Sequence, residues 1–362
     1  MHLQKLQLTQ FKNYEQASFE FINGINCLLG INGIGKTNLL DAIHYLSFTK
    51  SAFNAVDKDN VKHDATFFSL KSSFLVDNKS VELLCAVQQG EKKLVKWGGK
   101  PYEKLSEHIG RLPLVMIAPQ DNELIKDSSE VRRRFFDSLL CQIDKEYLSA
   151  LMRYNHLLKQ RNALLKQLQE TNSFDKARLE PFDELMVPLA LKIAKKRKNL
   201  NMLLQDDFIR FYEEISDNSE RVTVLYSTEV QEDFSNQLIS NYKRDFFQGR
   251  TNVGVHKDDY KFYIDGHSLK KFGSQGQQKS FLIALKLSQF ITIEKATGKK
   301  PILLLDDIFD KLDDIRIAYL LKMTTNGQFG QIFLTDARPE RTKKYLEHLS
   351  VEKQYFELEK VK

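Results

Sequence analysis

A glycine-rich segment near the amino terminus constrains the fold of this chain more than any other feature. Residues 30–37 read Gly-Ile-Asn-Gly-Ile-Gly-Lys-Thr and fit the pattern G-x-x-x-x-G-K-[ST]. Residues 25–29, which are mostly apolar, precede this segment as a short buried strand, and residues 36–48 follow it with the spacing of an amphipathic helix. A strand, a glycine turn and a helix in this order form a cradle of backbone amides for phosphate. The sequence therefore predicts a P-loop that binds a nucleoside triphosphate, with ATP as the expected ligand.

Each part of the predicted loop has a physical role. Glycines let backbone N–H groups turn toward phosphate oxygens, and the helix that follows adds the positive end of its dipole. The side chain of Lys36 is expected to reach the β- and γ-phosphates, and the Thr37 hydroxyl is expected to ligate Mg²⁺. The predicted ATP-binding residues of the loop are Gly30, Ile31, Asn32, Gly33, Ile34, Gly35, Lys36, Thr37 and Asn38.

A second carboxylate site is expected at the end of a buried strand. Residues 302–305 are all apolar and are followed by Asp306 and Asp307. Such a run is typical of a parallel strand covered on both faces, and residues at its carboxyl end lie in the ligand crevice. We expect Asp306 to hold Mg²⁺ and Asp307 to act as the catalytic residue that polarises the attacking water.

A third motif opens a predicted helix over residues 277–295. Ser274, Gln275, Gly276 and Gln277 combine a good helix cap with a glycine that permits close backbone approach. An ordinary helix cap would explain this motif if it stood alone. Because it lies between a P-loop and an acidic strand end, the order matches that of ABC-type ATPase heads, where this signature contacts the γ-phosphate bound to the partner's P-loop.

The middle of the chain has a different character. Residues 121–215 are helical in pattern, charged and poor in glycine. Apolar and long side chains recur there at steps of three and four, the spacing of a short coiled-coil seam, at Leu151, Tyr154, Leu158, Arg161, Leu165 and Leu168. A second helix over 183–215 is expected to return antiparallel after a turn at 171–174.

These segments define a predicted fold class and domain plan. We expect an α/β fold with a P-loop ABC-type ATPase head, a mixed sheet with flanking helices, and an inserted α-helical lobe with a short coiled-coil-like arm. Residues 1–120 and 221–362 are predicted to form the ATP-binding lobe, and residues 121–220 the helical lobe.

Composition bears on the partners and the cellular compartment of the chain. The formal charge of +6 suits a nucleic-acid partner, although many cytosolic proteins carry such a charge. The three cysteines stand far apart without a C-x-x-C pair, which argues against a zinc hook. No signal peptide and no apolar run of membrane-spanning length is found, so we expect a cytoplasmic protein without a membrane partner.

Taken together, the motifs resemble those of the RecF family of bacterial DNA replication and repair proteins over essentially the whole chain. The matching segments are residues 11–14, 30–37, 119–121, 132–137, 254–259, 272–279 and 303–307, with residues 311–313 as the D-loop. The chain departs from the usual family residues at Lys12, Gln120, Val255 and Lys257. The resemblance implies that Gln120 belongs to the ATP-binding residues, as a sensor of Mg²⁺ and of the second lobe.

The resemblance also implies an activity and partners. A member of this family is expected to bind ATP and Mg²⁺, to form an ATP-dependent homodimer, and to be a slow DNA-stimulated ATPase. It would grip double-stranded DNA or single/double-strand junctions near gaps. With the RecR and RecO proteins it would help to load recombinase onto single strands.

The DNA-contacting residues are less sharply defined by the sequence. A basic run on the second long helix consists of Lys195, Lys196, Arg197 and Lys198. Spaced charges on a helix usually form a solvated face, but four consecutive ones surround the helix, so at least two are expected to be available to phosphates. The arginines at 132–134 could face ATP, DNA or the acid-rich opposite lobe. Asp258 and Asp259 are expected to be structural or interfacial rather than metal ligands.

Three other functional classes share parts of this pattern. A Rad50- or SMC-like tethering head would need several hundred inserted helical residues instead of about 95. A transporter subunit would carry a histidine after the strand at 331–335, where Thr335 and Asp336 stand instead. An ATP-binding scaffold without significant turnover stays open, because Asp307 is one methylene shorter than the glutamate usual in such heads.

Overall fold

The computed structural model describes residues 1–216, 220–311, 314–325 and 327–359. Of the predicted D-loop, Leu312 and Asp313 therefore lie outside the described residues. The strands are β1 (His2–Phe11), β2 (Tyr14–Glu20), β3 (Ile25–Leu29), β4 (Phe67–Val76), β5 (Lys79–Gln88), β6 (Leu94–Trp97), β7 (Lys100–Pro101), β8 (Leu114–Ile117), β9 (Val222–Ser227), β10 (Asp259–Ile264), β11 (His267–Ser268), β12 (Ile302–Leu305), β13 (Ile332–Asp336) and β14 (Lys353–Glu357).

The helices alternate with these strands at both ends of the chain and dominate its middle. They are α1 (Lys36–Phe48), α2 (Glu123–Lys126), α3 (Ser129–Ile143), α4 (Lys145–Glu170), α5 (Glu180–Ser216), α6 (Phe234–Ser240), α7 (Tyr242–Gln248), α8 (Leu269–Phe272), α9 (Gln275–Thr297), α10 (Ile308–Lys311), α11 (Asp314–Thr325) and α12 (Pro339–Leu346). Among the described residues, no helix combines the length and the apolar content needed to span a bilayer.

Alternating apolar residues in the first hundred positions produce an antiparallel sheet of six strands. Its order is β2-β1-β4-β5-β6-β7. Along β4, Phe68, Leu70 and Phe74 are buried on one face, as expected of a strand with period two. These side chains pack against α1, whose Leu39, Ile43 and Leu46 belong to the same core cluster.

The P-loop belongs to a second, parallel sheet with the order β14-β3-β13-β12-β8. All residues of β3, β12 and β13 are buried, and most of them are apolar, as expected of parallel strands covered on both faces. Because these strands are parallel neighbours, their carboxyl ends meet at one edge of the sheet. The loop after β3, the carboxylates after β12 and the end of β13 are brought together there.

The chain divides into two compact units, one of Met1–Asp121 with Lys279–Lys362 and one of Asn122–Gln278. The second boundary lies at Gln278 and not at the predicted residue 220. The reason is the three-stranded sheet β11-β10-β9, whose apolar face is covered by α5 and α3. The rings of Phe136 and Tyr260 stack there with centroids 3.6 Å apart. The middle strands therefore complete the helical unit.

The predicted helical seam is confirmed at four of its six positions. Tyr154, Arg161, Leu165 and Leu168 are buried on α4, and that helix packs along α5. Leu151 and Leu158 are only half-buried, and Leu157 takes a buried position instead. A stripe of alternating steps of three and four tolerates this shift of one residue without losing the contact between the helices.

Candidate nucleotide-binding site

The loop at residues 30–37 connects the end of β3 to the start of α1. Gly35 occupies the cap position of α1 with φ of 116°, a backbone conformation that residues with a side chain rarely adopt. A Cβ atom added there would lie 2.5 Å from Nδ2 of Asn13. Glycine is therefore required at this position by both backbone conformation and space.

Three polar side chains hold the loop in shape from outside. Asn13 Nδ2 donates to the Ile34 carbonyl at 3.0 Å, and the Tyr14 hydroxyl donates to the Gly35 carbonyl at 3.1 Å. Asn38 Nδ2 donates to Asn13 Oδ1 at 2.8 Å. Asn38 thus supports the loop through Asn13. Asn13 and Tyr14 lie 21 residues from the carbonyls that they hold, and the sequence signalled them only as part of the family segment at residues 11–14.

Lys36 lies inside the loop and is buried, with 7% of its surface exposed. Its Nζ donates to the carbonyl oxygens of Gly30 at 2.6 Å and of Ile31 at 3.0 Å. These contacts hold the Lys36 ammonium beside the backbone amides of the loop, where it could donate hydrogen bonds to phosphate oxygens. The ammonium of Lys36 therefore lies within the loop, and its contact with ATP phosphates stays a prediction.

Thr37 and Asp306 lie in direct contact, although 269 residues separate them in the chain. The Thr37 Oγ1 atom is 2.9 Å from one carboxylate oxygen of Asp306 and 3.2 Å from the other. Burial raises the pKa of Asp306, and the hydroxyls of Thr335 and Thr37 act against this by donating to its carboxylate. The pair supplies two oxygen donors at the edge of the loop.

This donor set fits Mg²⁺. The ion prefers oxygen ligands and is usually held by one or two carboxylates together with substrate phosphates and water. Thr37 and Asp306 are the residues that would hold it. Among the described residues, no group of three or more His, Cys, Asp or Glu side chains forms an alternative metal site.

Thr335 links the carboxylate of Asp306 to the backbone of Asp307 after β12. Its hydroxyl donates to Asp306 Oδ1 at 2.9 Å and accepts from the Asp307 backbone N–H at 2.8 Å. This follows from the sheet order, because β13 lies between β3 and β12. Thr335 stands where transporter heads carry a histidine. The absence of that histidine was the only sequence signal for this position.

A cleft of about 170 Å³ lies in front of the loop, and its lining combines predicted and unpredicted residues. Asp307, in a left-handed backbone conformation with φ of 49°, borders the cleft. The lining consists of Asn32, Gly33, Gly35, Lys36, Thr37, Asn38, Asp307 and Thr335. Gln120 is exposed in the turn Pro119–Asn122 and is not among the described residues that line the cleft. Its neighbour Asp121 is fixed by Lys286 at 2.6 Å.

The serine–glycine motif begins α9 two residues before the predicted start of that helix. Ser274 Oγ accepts from the Gln277 N–H at 3.2 Å, and Gln277 Oε1 accepts from the Ser274 N–H at 2.6 Å, which is a reciprocal capping box. Ser274 and Gln275 are exposed, and the preceding Phe272 is 69% exposed. The motif is therefore presented to solvent by a rigid helix start.

The prediction that Arg197 contacts DNA is wrong. Arg197 is 2% exposed, and its guanidinium lies 2.9 Å from Asp137 and 2.7 Å from Asp258. Burial opposes its charge, but the carboxylate of Asp137 holds the pKa of Arg197 well above its usual value. Lys196 is paired with Asp144 at 2.5 Å. Lys195 and Lys198 are exposed, with no carboxylate of the described residues within salt-bridge distance.

Asp258 and Asp259 act as structural anchors of the helical unit. Asp259 receives the Arg132 guanidinium through two bonds of 2.8 and 3.1 Å. Asp258 accepts from Arg197 and from the Tyr226 hydroxyl at 2.5 Å, and its backbone carbonyl accepts from Arg133. The predicted structural role of both aspartates thus has a geometric basis, and two of the three arginines at 132–134 are engaged by them.

His256 gives this unit a specific pH dependence. Its Nε2–H donates to the Thr251 carbonyl at 3.1 Å, so Nδ1 is the unprotonated nitrogen and accepts from the Tyr154 hydroxyl at 3.0 Å. Burial lowers the pKa of His256 from 6.5 to about 4. The unfolded chain therefore binds a proton that the folded chain excludes between these values.

We expect burial of neutral His256 to cost no stability above pH 6.5. As the pH falls from 6.5 toward 4, the free energy of unfolding should decline, because only the unfolded chain takes up the proton. The slope approaches roughly 1.4 kcal/mol per pH unit, the value for one proton. Denaturant titrations across this range check it, with His256→Gln as the comparison. If both proteins show the same difference in stability between pH 6.5 and 4.5, His256 does not carry the effect.

The sequence and the fold of the chain both match those of known proteins. The family described as RecF/RecN/SMC N terminal domain matches residues 2–357. A DNA replication and repair protein RecF from Flavobacterium johnsoniae is 44% identical over 343 residues, covering 94% of this chain and 96% of that protein.

Two solved structures of the recombination mediator protein RecF in the RecFOR pathway are also similar. The RecF-ATP structure has a TM-score of 0.89 at 30% identity, covering 98% of this chain and 95% of that one. The RecF-ATPrS structure has a TM-score of 0.88 at 29% identity, covering 100% and 98%. These matches confirm the predicted α/β P-loop ATPase-head fold with a helical lobe. The chain therefore belongs to the RecF family of DNA replication and repair proteins.

Proposed function

We propose that this protein is an ATP-gated DNA clamp of recombinational repair and replication restart. ATP and Mg²⁺ bind at the P-loop, two copies associate around the nucleotide, and the dimer holds double-stranded DNA or a single/double-strand junction. Slow hydrolysis then separates the copies and releases the DNA. The proposal rests on family membership and on the chemistry of the described residues.

One observation carries most of the proposal: the contact of Thr37 with Asp306. The pair brings a hydroxyl and a carboxylate, distant in sequence, to the phosphate end of a P-loop at 2.9 Å. A structural glycine turn has no need of such a pair, whereas a loop that binds a triphosphate with Mg²⁺ does. The exposed Ser274 cap supports the second half of the proposal, since it offers an anion-binding helix start to a second copy.

In the proposed mechanism each residue has one task. Lys36 neutralises charge on the phosphates, and bound Mg²⁺ would supply further stabilisation of that charge. Asp307 orients and polarises the attacking water, while Thr335 fixes the backbone of Asp307 and one oxygen of Asp306. Since Asp307 has a short side chain in a constrained backbone conformation, we propose that turnover is slow.

DNA and protein partners are proposed on separate grounds. The solved relatives are recombination mediators of the RecFOR pathway, which supports RecR and RecO as partners. Exposed Lys195 and Lys198 on α5 are the members of the basic run that can reach phosphates. The DNA would lie against the helical lobes of the two copies.

Light scattering with and without ATP-Mg²⁺ and a short duplex tests the clamp. We expect a dimer that appears only with ATP-Mg²⁺ and that carries duplex DNA. A protein that stays monomeric with ATP at micromolar concentration, and binds no duplex, contradicts the proposal. A dimer that forms without measurable hydrolysis would instead support an ATP-binding scaffold.

Asp307→Asn is expected to trap the dimer. Removing the proposed base while keeping the side-chain size should slow hydrolysis about 100- to 10,000-fold, the usual contribution of a general base. Affinity for ATP should change little, because Asp306 still provides the carboxylate for the ion. Phosphate release and dimer lifetime are measured on both proteins, and equal hydrolysis rates would show that Asp307 is not the base.

A further inference from the structure

A second cavity, of about 390 Å³, lies on the six-stranded sheet and shares no residue with the P-loop cleft. It opens between two hairpin turns, the one joining β4 to β5 and the one joining β6 to β7. Val76, Val81 and Trp97 form its apolar part, and Val76 and Trp97 also pack against the main core of the unit. The apolar floor of the cavity is therefore continuous with the core of the unit.

The rim of this cavity is cationic. Lys79, Arg111 and Lys299 line it together with a single carboxylate, that of Asp77. Lys299 Nζ lies 3.5 Å from the Asp77 carboxylate, so one positive charge is partly balanced. Among the described residues, no carboxylate lies within salt-bridge distance of Lys79 or Arg111. The rim thus retains two positive charges available to an anion.

Aromatic and guanidinium planes converge at one side of the cavity. The Arg111 guanidinium carbon lies 5.6 Å from the Trp97 ring centroid and 5.6 Å from that of Tyr102. Arg111 Nε donates to the Glu107 carbonyl at 3.4 Å, and the side chain is otherwise exposed. Lys100 is the cross-strand partner of Trp97 and adds a further cation beside the indole.

We propose that this cavity binds a segment of single-stranded nucleic acid. An unpaired base stacks on the Arg111 guanidinium beside the Trp97 indole, and the adjacent phosphates contact Lys79 and Lys100. Aromatic platforms flanked by cations are the usual means of binding single strands without sequence preference. Bases within a duplex are stacked on one another and cannot enter the cavity. The site is independent of the proposed ATP-gated clamp and requires no nucleotide at the P-loop.

Trp97 offers a direct probe, because it is the only tryptophan in the sequence. We expect a thymidine oligonucleotide to quench its fluorescence without ATP present, with an affinity that falls as salt rises. A duplex of the same length, and ATP alone, should quench little. Quenching by ATP alone as strong as by the oligonucleotide would assign the cavity to free nucleotides and overturn the proposal.

Exposed variants keep the test independent of folding. Arg111→Ala and Lys79→Ala are each expected to weaken binding of a labelled oligonucleotide, measured by anisotropy, with roughly tenfold loss for Arg111 as a stacking partner. Lys71→Ala is the matched control, since Lys71 lies on the same sheet and is paired with Glu82. Equal affinity of all three variants and the parent would overturn the proposal, as would binding of an acidic peptide in place of the oligonucleotide.

The result also separates this site from the clamp. Arg111→Ala should keep ATP-induced dimerisation and duplex binding, because neither uses this cavity. If dimerisation fails in the parent protein but the oligonucleotide still quenches Trp97, only the clamp is wrong. If dimerisation succeeds and the strand does not bind, only the cavity assignment is wrong.

Discussion

Replacing Lys36 with alanine is expected to lower the affinity for ATP by about 100-fold or more, the scale of removing one partner of a buried charged contact. Lys36 is buried inside the loop and is held by the Gly30 and Ile31 carbonyls, so its ammonium is positioned before phosphate arrives. Without it the triphosphate loses a charge-assisted contact in a site shielded from water. Calorimetric titration with ATP-Mg²⁺ measures the loss directly.

Lys50→Ala is the matched control, because Lys50 lies just beyond α1 and is exposed. It should bind ATP like the parent protein. The Lys36 variant should also remain monomeric at ATP concentrations that saturate the parent. Should Lys36→Ala bind ATP within twofold of the parent, residues 30–37 are not the nucleotide site, and the clamp has no switch.

The second prediction concerns the stability of the helical unit rather than the binding of ATP. Arg197→Ala is expected to lower the free energy of unfolding of the helical unit by about 3–5 kcal/mol, the usual result of removing one partner from a buried ion pair. The change leaves the buried Asp258 and the half-buried Asp137 without their shared cation, and also removes the donor to the Val255 carbonyl. Denaturant unfolding followed by circular dichroism measures the change.

Lys198→Ala controls for this effect, since it removes the next positive charge on the same helix at an exposed position. Its stability should stay within about 0.5 kcal/mol of the parent. Combined with Lys195→Ala, it should instead weaken duplex binding and reduce the salt slope by about two. If Arg197→Ala unfolds like Lys198→Ala, the buried network contributes little to this fold.

Features that depend on neighbouring residues were predictable from the sequence. The P-loop, the helix after it and the capped start of α9 are each set by short segments whose backbone chemistry is local. The apolar run before Asp306 indicated a buried parallel strand for the same reason. Capping of Ser274 by Gln277 follows from a spacing of three residues.

Pairings between distant residues could not be predicted in this way. The basic run at 195–198 looks uniform in the sequence, yet Arg197 is buried between Asp137 and Asp258, which lie about 60 residues to either side. Which of four consecutive charges points inward depends on the helix against which they pack. The unit boundary at Gln278 could not be predicted for the same reason, because the apolar faces of β9 and β10 pack against α5 and α3.

The nucleotide site combines both kinds of information. By itself the sequence determined the strand, glycine turn and helix at residues 25–48 and the apolar strand that ends at Asp306, and it predicted that Lys36 and Thr37 serve a phosphate there. Only the tertiary structure decided that Thr335 would join Asp306 and Asp307, and that Asn13 and Tyr14 would hold the loop. The physical reason is the strand order β3-β13-β12, which makes neighbours of segments that the chain separates by hundreds of residues.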